Sequence, residues 1–386
     1  MRAIVNSDRT VQLLKRVLTN VVANPAAVAA PVRKSRELLG WRPRQIPLGQ
    51  ARNILVIRPD EIGDVVLTGP FLRQLRTVAP LAHITLVVKR LCQELVEHCP
   101  YVNEVYSLNF SFAKDSHRLV ASAWHLRWRH LPVHGFDIVL LPRRADDFYH
   151  SKDVAYVLAG KGNILFNKEL RPGGGNLEGE HELIHNLRFL RRLAGVADIS
   201  NTSLECWLTD EDRNFARAAL NAAHRYVAFA TGANVAARQW PIERFAAVAT
   251  RLRDLYGIVP VILGAAGEPG FSTGVNLIGR TTLRQEAAVL ERCELFVGND
   301  SGPKHIAAAV GVPVVEISAF RVGGDACHLN SPARFHAWGV PYRLAQPSSG
   351  AGTLAIEEVA VNDVVRLCTE LMHLSCEQRV LRWARS

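Results

Sequence analysis

Twice along its 386 residues the chain runs through the same series: a short apolar segment, a turn, an amphipathic stretch, and the next apolar segment. The apolar runs are Ile54–Ile57, Ile84–Val88, Ile138–Leu141, Tyr226–Ala230, Val259–Leu263, Leu295–Val297 and Val312–Ile317. They are short, rich in Val or Ile, and do not alternate with polar residues, the pattern of strands buried on both faces of a parallel sheet. Between them lie stretches with helical spacing, such as Val65–Val78, Arg244–Leu255 and Leu283–Glu291. Strand–helix–strand repetition implies right-handed crossovers and an α/β fold of doubly wound parallel sheets. One series occupies about 51–195 and the other about 205–365, meeting near Gly195–Thr202 where a helix over His181–Leu193 gives way to small polar residues. The expected organisation is an arm over 1–50, one α/β domain over 51–200 and a second over 201–386. The last helical stretch, Glu357–Arg385, is long enough to cross back onto the first domain.

Composition narrows the setting. No run of about 18 uncharged apolar residues occurs, so no membrane-spanning helix is expected. The N-terminus lacks the apolar segment and cleavage site of a signal peptide. Seven widely spaced cysteines form no C-x-x-C pair, which suits thiols in a reducing, cytoplasmic compartment and gives no zinc signature. The net charge of +10 is concentrated at the start. Residues 1–50 carry Arg2, Arg9, Lys15, Arg16, Arg33, Lys34, Arg36, Arg42 and Arg44 against Asp8 and Glu37, a net +7. Within this arm Val11, Leu14, Leu18 and Val21 fall at helical spacing, ending near Pro25. Such a basic amphipathic helix either lies on an anionic membrane face or packs on its own domain. Nucleic acid is not the expected partner, since no zinc-finger spacing or RNP-type strand is present.

Ligands of open parallel sheets bind beyond the carboxyl ends of the strands, so the residues just after each run are the candidates. After the first comes Arg58-Pro59-Asp60-Glu61-Ile62-Gly63-Asp64, which lacks the G-x-G-x-x-G of a dinucleotide site and offers carboxylates instead. Asp64 reads either as a general base or as a helix N-cap. Other first-domain strand ends are basic: Lys89-Arg90 and Arg143-Arg144. With Arg58 and Gly63 they suggest an edge suited to an anionic acceptor. In the second domain Gly298-Asn299-Asp300-Ser301-Gly302-Pro303-Lys304-His305 joins a strand end to a small-residue helix. This is a cradle for diphosphate on free backbone N–H groups. Thr231-Gly232-Ala233-Asn234 with Arg238, and Gly264 through Glu268, lie at the same edge. Arg238 is placed for phosphate and Glu268 for ribose hydroxyls. The triplet Asp210-Glu211-Asp212 reads as an acidic helix start after Thr209 rather than a metal site.

Three blocks of this sequence resemble glycosyltransferase family 9, the heptosyltransferases of lipopolysaccharide core assembly. They are Ile62-Gly63-Asp64 through Gly69-Pro70, Gly232-Ala233-Asn234 through Arg238-Gln239-Trp240-Pro241 to Phe245, and Leu277-Ile278-Gly279-Arg280 continuing to Val297–Pro303 and Ala309–Pro313. The resemblance covers about 51–345. It implies a GT-B fold, two Rossmann-like domains facing across a cleft, and an inverting reaction without a cofactor or metal ion. Heptose would pass from ADP-heptose to a lipopolysaccharide-core or related anionic glycan or glycolipid. Asp64 would be the base, Arg238 the phosphate-binding cation, and Asp300, Ser301 and Gly302 would hold diphosphate and sugar; Gly232, Asn234, Glu268 and His305 are donor-site candidates by their place at the same edge. The chain departs from the family pattern with Arg238 for Lys, Asn234 for Ser, Ser301 for Thr, and Lys304 for Met, which adds charge beside the phosphates. Two further readings of the same fold are a non-catalytic nucleotide-sugar-binding protein and a sugar-nucleotide epimerase.

Overall fold

The computed structural model describes residues 45–109, 116–131, 135–143, 151–160, 162–167, 180–195, 201–320, 331–347 and 356–383. The basic arm up to residue 44, with its expected helix, and Arg144 lie outside them. Two wholly parallel sheets account for the strands. The first holds β1 (Asn53–Arg58), β2 (His83–Lys89), β3 (Glu104–Leu108), β4 (Ile138–Leu141) and β5 (Asn163–Phe166) in the order β3-β2-β1-β4-β5. The second holds β6 (Tyr226–Ala230), β7 (Val259–Leu263), β8 (Val275–Asn276), β9 (Leu295–Asn299), β10 (Val314–Ile317) and β11 (Tyr342–Ala345) in the order β11-β10-β9-β6-β7-β8. Both orders reverse direction beside the first strand of their series, the place where such sheets open a ligand crevice.

The central strands are buried on both faces because successive residues point to opposite sides. Ile54 and Val56 belong to an apolar cluster that continues through Leu187 and Leu204 to Ala228 and Phe296, so one face of each sheet shares a common core. Leu55 and Ile57 enter a separate cluster with Val87, Val139 and Leu158, while Val227, Phe229 and Val297 pack with Trp240 and Phe245.

The helix expected over Val65–Val78 is two helices, α1 (Ile62–Val66) and α2 (Gly69–Val78). Pro70 has no N–H to continue the ladder, and its ring excludes the carbonyl four residues back, so the chain breaks at Leu67-Thr68. In chain order α3 (Gln93–Val96), α4 (Ser116–Arg129), α5 (Ser151–Leu158), α6 (Glu182–Ala194), α7 (Asp210–Ala219), α8 (Ile242–Tyr256), α9 (Leu283–Leu290), α10 (Gly302–Ala309), α11 (Pro332–Phe335) and α12 (Val361–Trp383) follow. The acidic triplet opens α7 through a capping box, in which Thr209 accepts from the Asp212 N–H and Asp212 accepts from the Thr209 N–H. Helix α12 packs on α8 and on β9, β10 and β11 of the second sheet. No described helix is long and apolar enough to cross a membrane.

Candidate active site between the two sheets

The carboxyl edges of the two sheets meet through α1 and α10. Two glycines make the approach possible. A Cβ on Gly63 would fall 2.6 Å from Cδ2 of His305, and one on Gly302 would fall 2.7 Å from Cβ of Ile62. The start of the donor-side helix is therefore seated directly on the helix that carries Asp64.

Asp64 lies inside α1, whose N-cap position is Glu61, so the capping alternative falls away. Its Oδ1 accepts from Arg58 Nη2 at 3.1 Å, and about a quarter of its side chain is exposed. Burial pushes its carboxyl up to about 7, against the lowering effect of Arg58. A carboxylate poised near neutrality beside a cleft is suited to accept a proton.

Arg58 is not the exposed acceptor-binding cation that the sequence suggested. It is 1% exposed and donates to Pro142 O at 2.6 Å and to Glu182 Oε1 at 3.4 Å, with Asp60 Oδ2 at 3.2 Å from its Nε. A guanidinium fork so occupied orients carboxylates; it does not collect ligands. Arg143 is also drawn inward, to Asp60 Oδ1 at 3.3 Å, and Lys89 is bound to Glu61 Oε1 at 2.6 Å. Single strand-end positions foretold basic charge, but not the carboxylates Asp60 and Glu182 that partner it.

On the other side, Arg238 ends a 3-10 turn with its guanidinium 3.7 Å from Asp300 Oδ2 and over the ring of Phe320 at 5.8 Å. It is a fifth exposed, open to a phosphate. Asn299 fixes this edge. Its Oδ1 accepts from the Trp240 N–H at 3.1 Å and its Nδ2 donates to Thr231 O at 2.8 Å, tying the loop that carries Gly232, Asn234 and Arg238 to the end of β9. The sequence reading passed over Asn299, although its place at a strand end was visible. Ser301 is the N-cap position of α10 and makes no side-chain cap, and Pro303, which has no N–H, sits in its first turn, so the remaining N–H groups there have no side-chain cap. His305 is buried, and desolvation holds its pKa well below the usual value, so it packs on Gly63 as a neutral ring.

Lys304 also differs from expectation. It does not stand beside the phosphates but is fully buried, with Nζ bonded to Asp300 Oδ1 and to Glu316 Oε1 at 2.8 Å. Burial opposes its charge, while Asp300 and Glu316 hold the ammonium above its ordinary pKa. Burial raises Glu316 in turn, and its Oε2 accepts from the Tyr342 hydroxyl at 3.0 Å. Glu268 lies against the bare backbone of Gly232 and Gly264, where any Cβ would meet its carboxylate. Beside it opens a cavity of about 410 Å³ lined by Phe271, Asn276, Ile278 and Arg280. Among the described residues no cluster of His, Cys, Asp or Glu is arranged to hold a metal ion.

Two parallel-sheet domains of GT-B type carry a near-neutral carboxylate in one and, in the other, an uncapped helix start and the partly exposed Arg238. Residues 179–319 match the family model described as "Glycosyltransferase family 9 (heptosyltransferase)", and with the relatives that follow this marks the chain as a glycosyltransferase. It is 24% identical over 291 residues to lipopolysaccharide heptosyltransferase 2 of Escherichia coli K12, an alignment spanning 68% of this chain and 82% of that one. In fold it is similar to the family 9 glycosyl transferase of Veillonella parvula, with a TM-score of 0.67 and 22% identity over 86% of this chain and 99% of the other. An E. coli heptosyltransferase solved with ADP superposes with a TM-score of 0.61 at 17% identity, covering 83% of this chain and all of that one.

Proposed function

We propose that this glycosyltransferase moves heptose from ADP-heptose to an anionic glycan of the lipopolysaccharide-core type, with inversion and without a metal ion. The observation that carries the reading is Asp64, a carboxylate pushed up to about 7 and held beside the donor helix by the Gly63–His305 contact. The acceptor hydroxyl attacks the anomeric carbon from the face opposite the diphosphate. Its new C–O bond forms as the bond to the diphosphate oxygen breaks. Arg58 occupies Oδ1 of Asp64, so the hydroxyl proton passes to Oδ2. The charge released on the diphosphate falls on Arg238 and on the N–H groups at the start of α10, around Asp300, Ser301 and Gly302. Gly232 and Asn234 border the phosphates, and Glu268 takes the ribose hydroxyls at the mouth of the 410 Å³ cavity. The ADP named with one structural relative supports a nucleotide-diphosphate donor. The division of labour follows the two domains: 51–200 with Gly63 and Arg143 for the acceptor, 201–386 for the nucleotide sugar, and 1–50 as an arm toward an anionic membrane face on the cytoplasmic side. Asp64→Asn tests the reading. It removes the base while preserving shape, so transfer falls by about 100-fold or more while ADP affinity measured by calorimetry stays within a factor of about two of the parent. Near-parental turnover in this variant refutes the assignment.

A further inference from the structure

The carboxylate that the reaction depends on is wired to the opposite domain through two buried residues that no sequence motif marks. Glu182, at the first position of α6, accepts from Arg58 Nη2 at 3.4 Å through Oε1 and from Arg334 Nη2 at 3.2 Å through Oε2. Arg58 reaches Asp64 from the same Nη2. Arg334 belongs to α11, which follows β10 of the second sheet, yet it is 3% exposed and lies against a first-domain carboxylate. A second bond runs beside it. His181, the residue capping α6, accepts the Leu183 N–H at Nδ1, which leaves its Nε2–H to donate to His336 O at 3.0 Å. Burial lowers the His181 pKa to about 3, so this bond is made by a neutral ring.

We infer that Glu182, together with Arg334 from the opposite domain, is a positioning residue that sets the proton affinity of Asp64 through Arg58. The inference rests on the reading of Asp64 as the base. When Arg334 is in place Glu182 is shared between two guanidiniums, and Arg58 has more of its charge to give to Asp64. Without the Arg334 charge Glu182 draws more strongly on Arg58, and Asp64 holds its proton more tightly.

The groups around Asp64 come from each element packed on α1. They are Arg58 from β1, Asp60 and Glu61 from the following turn with Lys89 on Glu61, Cys92 after β2, Arg143 after β4, Glu182 and His181 at α6, and His305 of α10 with Lys304 beneath it. His181 and His305 are neutral and Cys92 is raised far above its ordinary range, so none of these three changes charge near neutral pH. Arg334 is a second-domain cation that reaches this cluster through Glu182.

The test needs no substrate. Infrared titration of carboxylate bands, taken as the difference between each full-length protein and its own Asp64→Asn counterpart, reads the Asp64 midpoint directly. Arg334→Gln is expected to raise that midpoint by about one pH unit, and Arg334→Lys to leave it near the parent's. Glu182→Gln removes a negative charge and releases Arg58, so it lowers the midpoint by a similar amount. The double substitution Arg334→Gln with Glu182→Gln brings it back toward the parent. Should Arg334→Gln fail to fold, Glu182→Gln carries the test with the opposite sign. A midpoint that stays put in both single variants overturns the inference, as does a shift that the double substitution does not reverse. If Asp64→Asn retains turnover while the midpoints move as stated, the base assignment fails and the electrostatic coupling stands.

Discussion

Replacing Lys304 by Met, the residue usual in the family at this position, isolates what the buried ammonium does. Lys304 is shared by Asp300 and Glu316, and both Lys304 and Glu316 are wholly buried. Taking one partner from such a set costs about 3–5 kcal/mol, because the charge left behind has neither water nor a counterion. Here the loss depends on pH. Glu316 already has its pKa raised by burial, and without Lys304 it rises further above the value it has in the unfolded chain. A carboxyl raised in the folded state contributes stability below its unfolded pKa and loses it as pH climbs toward the folded value. At pH 6 a proton on Glu316 stands in for the ammonium, and Lys304→Met costs about 1–2 kcal/mol; at pH 8 it costs about 3–4 kcal/mol. Adding Glu316→Gln keeps an oxygen to accept from the Tyr342 hydroxyl and removes the charge, so the double variant recovers about half of the pH 8 loss. Urea unfolding followed by fluorescence reads this, since Trp240 is buried in the same domain. A Lys304→Met protein as stable as the parent at pH 8, or a double variant whose loss is the sum of the two singles, refutes the argument.

Arg238→Ala weakens ADP binding by about 1.5–3 kcal/mol but leaves adenosine affinity nearly unchanged, because the side chain is placed for phosphate; equal losses in calorimetry place it elsewhere. Glu286 is buried on α9 with Oε1 unpartnered, and desolvation raises its carboxyl to about 8. Its burden on stability therefore grows as pH rises from the unfolded value to about 8. Glu286→Gln should accordingly add on the order of 2–4 kcal/mol at pH 8 and little at pH 5, and an equal effect at both in denaturant titrations contradicts this. Deleting residues 1–44, which keeps the core residues Ile46 and Leu48, should reduce binding to anionic vesicles, with the difference from the parent vanishing at high salt. An unchanged vesicle affinity with a lowered melting temperature assigns the arm to its own domain instead.

The strands legible in the sequence and those that were not divide along a physical line. Every centrally placed strand, β1, β2, β4, β6, β7, β9 and β10, announces itself as an apolar run. The four that escaped notice, β3, β5, β8 and β11, are the edge strands of the two sheets. An edge strand with one flank open to solvent carries residues such as Glu104, Ser107, Asn163 and Arg343, and its burial is partial. It lacks the signal that doubly covered strands carry. The site divides likewise. Asp64, Arg238 and the start of α10 were legible because strand-end position and residue type coincide there. Glu182 and Arg334 stand 152 positions apart and meet only through the packing of α6 against the segment after β10. For Arg58 the sequence shows a charge but not the carboxylates Asp60, Asp64 and Glu182 that occupy it.

Gly63 and Gly302 set the distance at which the two halves of the enzyme come to rest. Each faces a side chain from across the cleft at a spacing that already excludes a methyl group. An alanine at either position is a wedge driven into the joint. It would hold the carboxylate and the donor helix apart by the thickness of one carbon atom, a displacement large against the tolerance for proton transfer. The bare backbone at these two positions is thus a matter of clearance as well as of ligand contact.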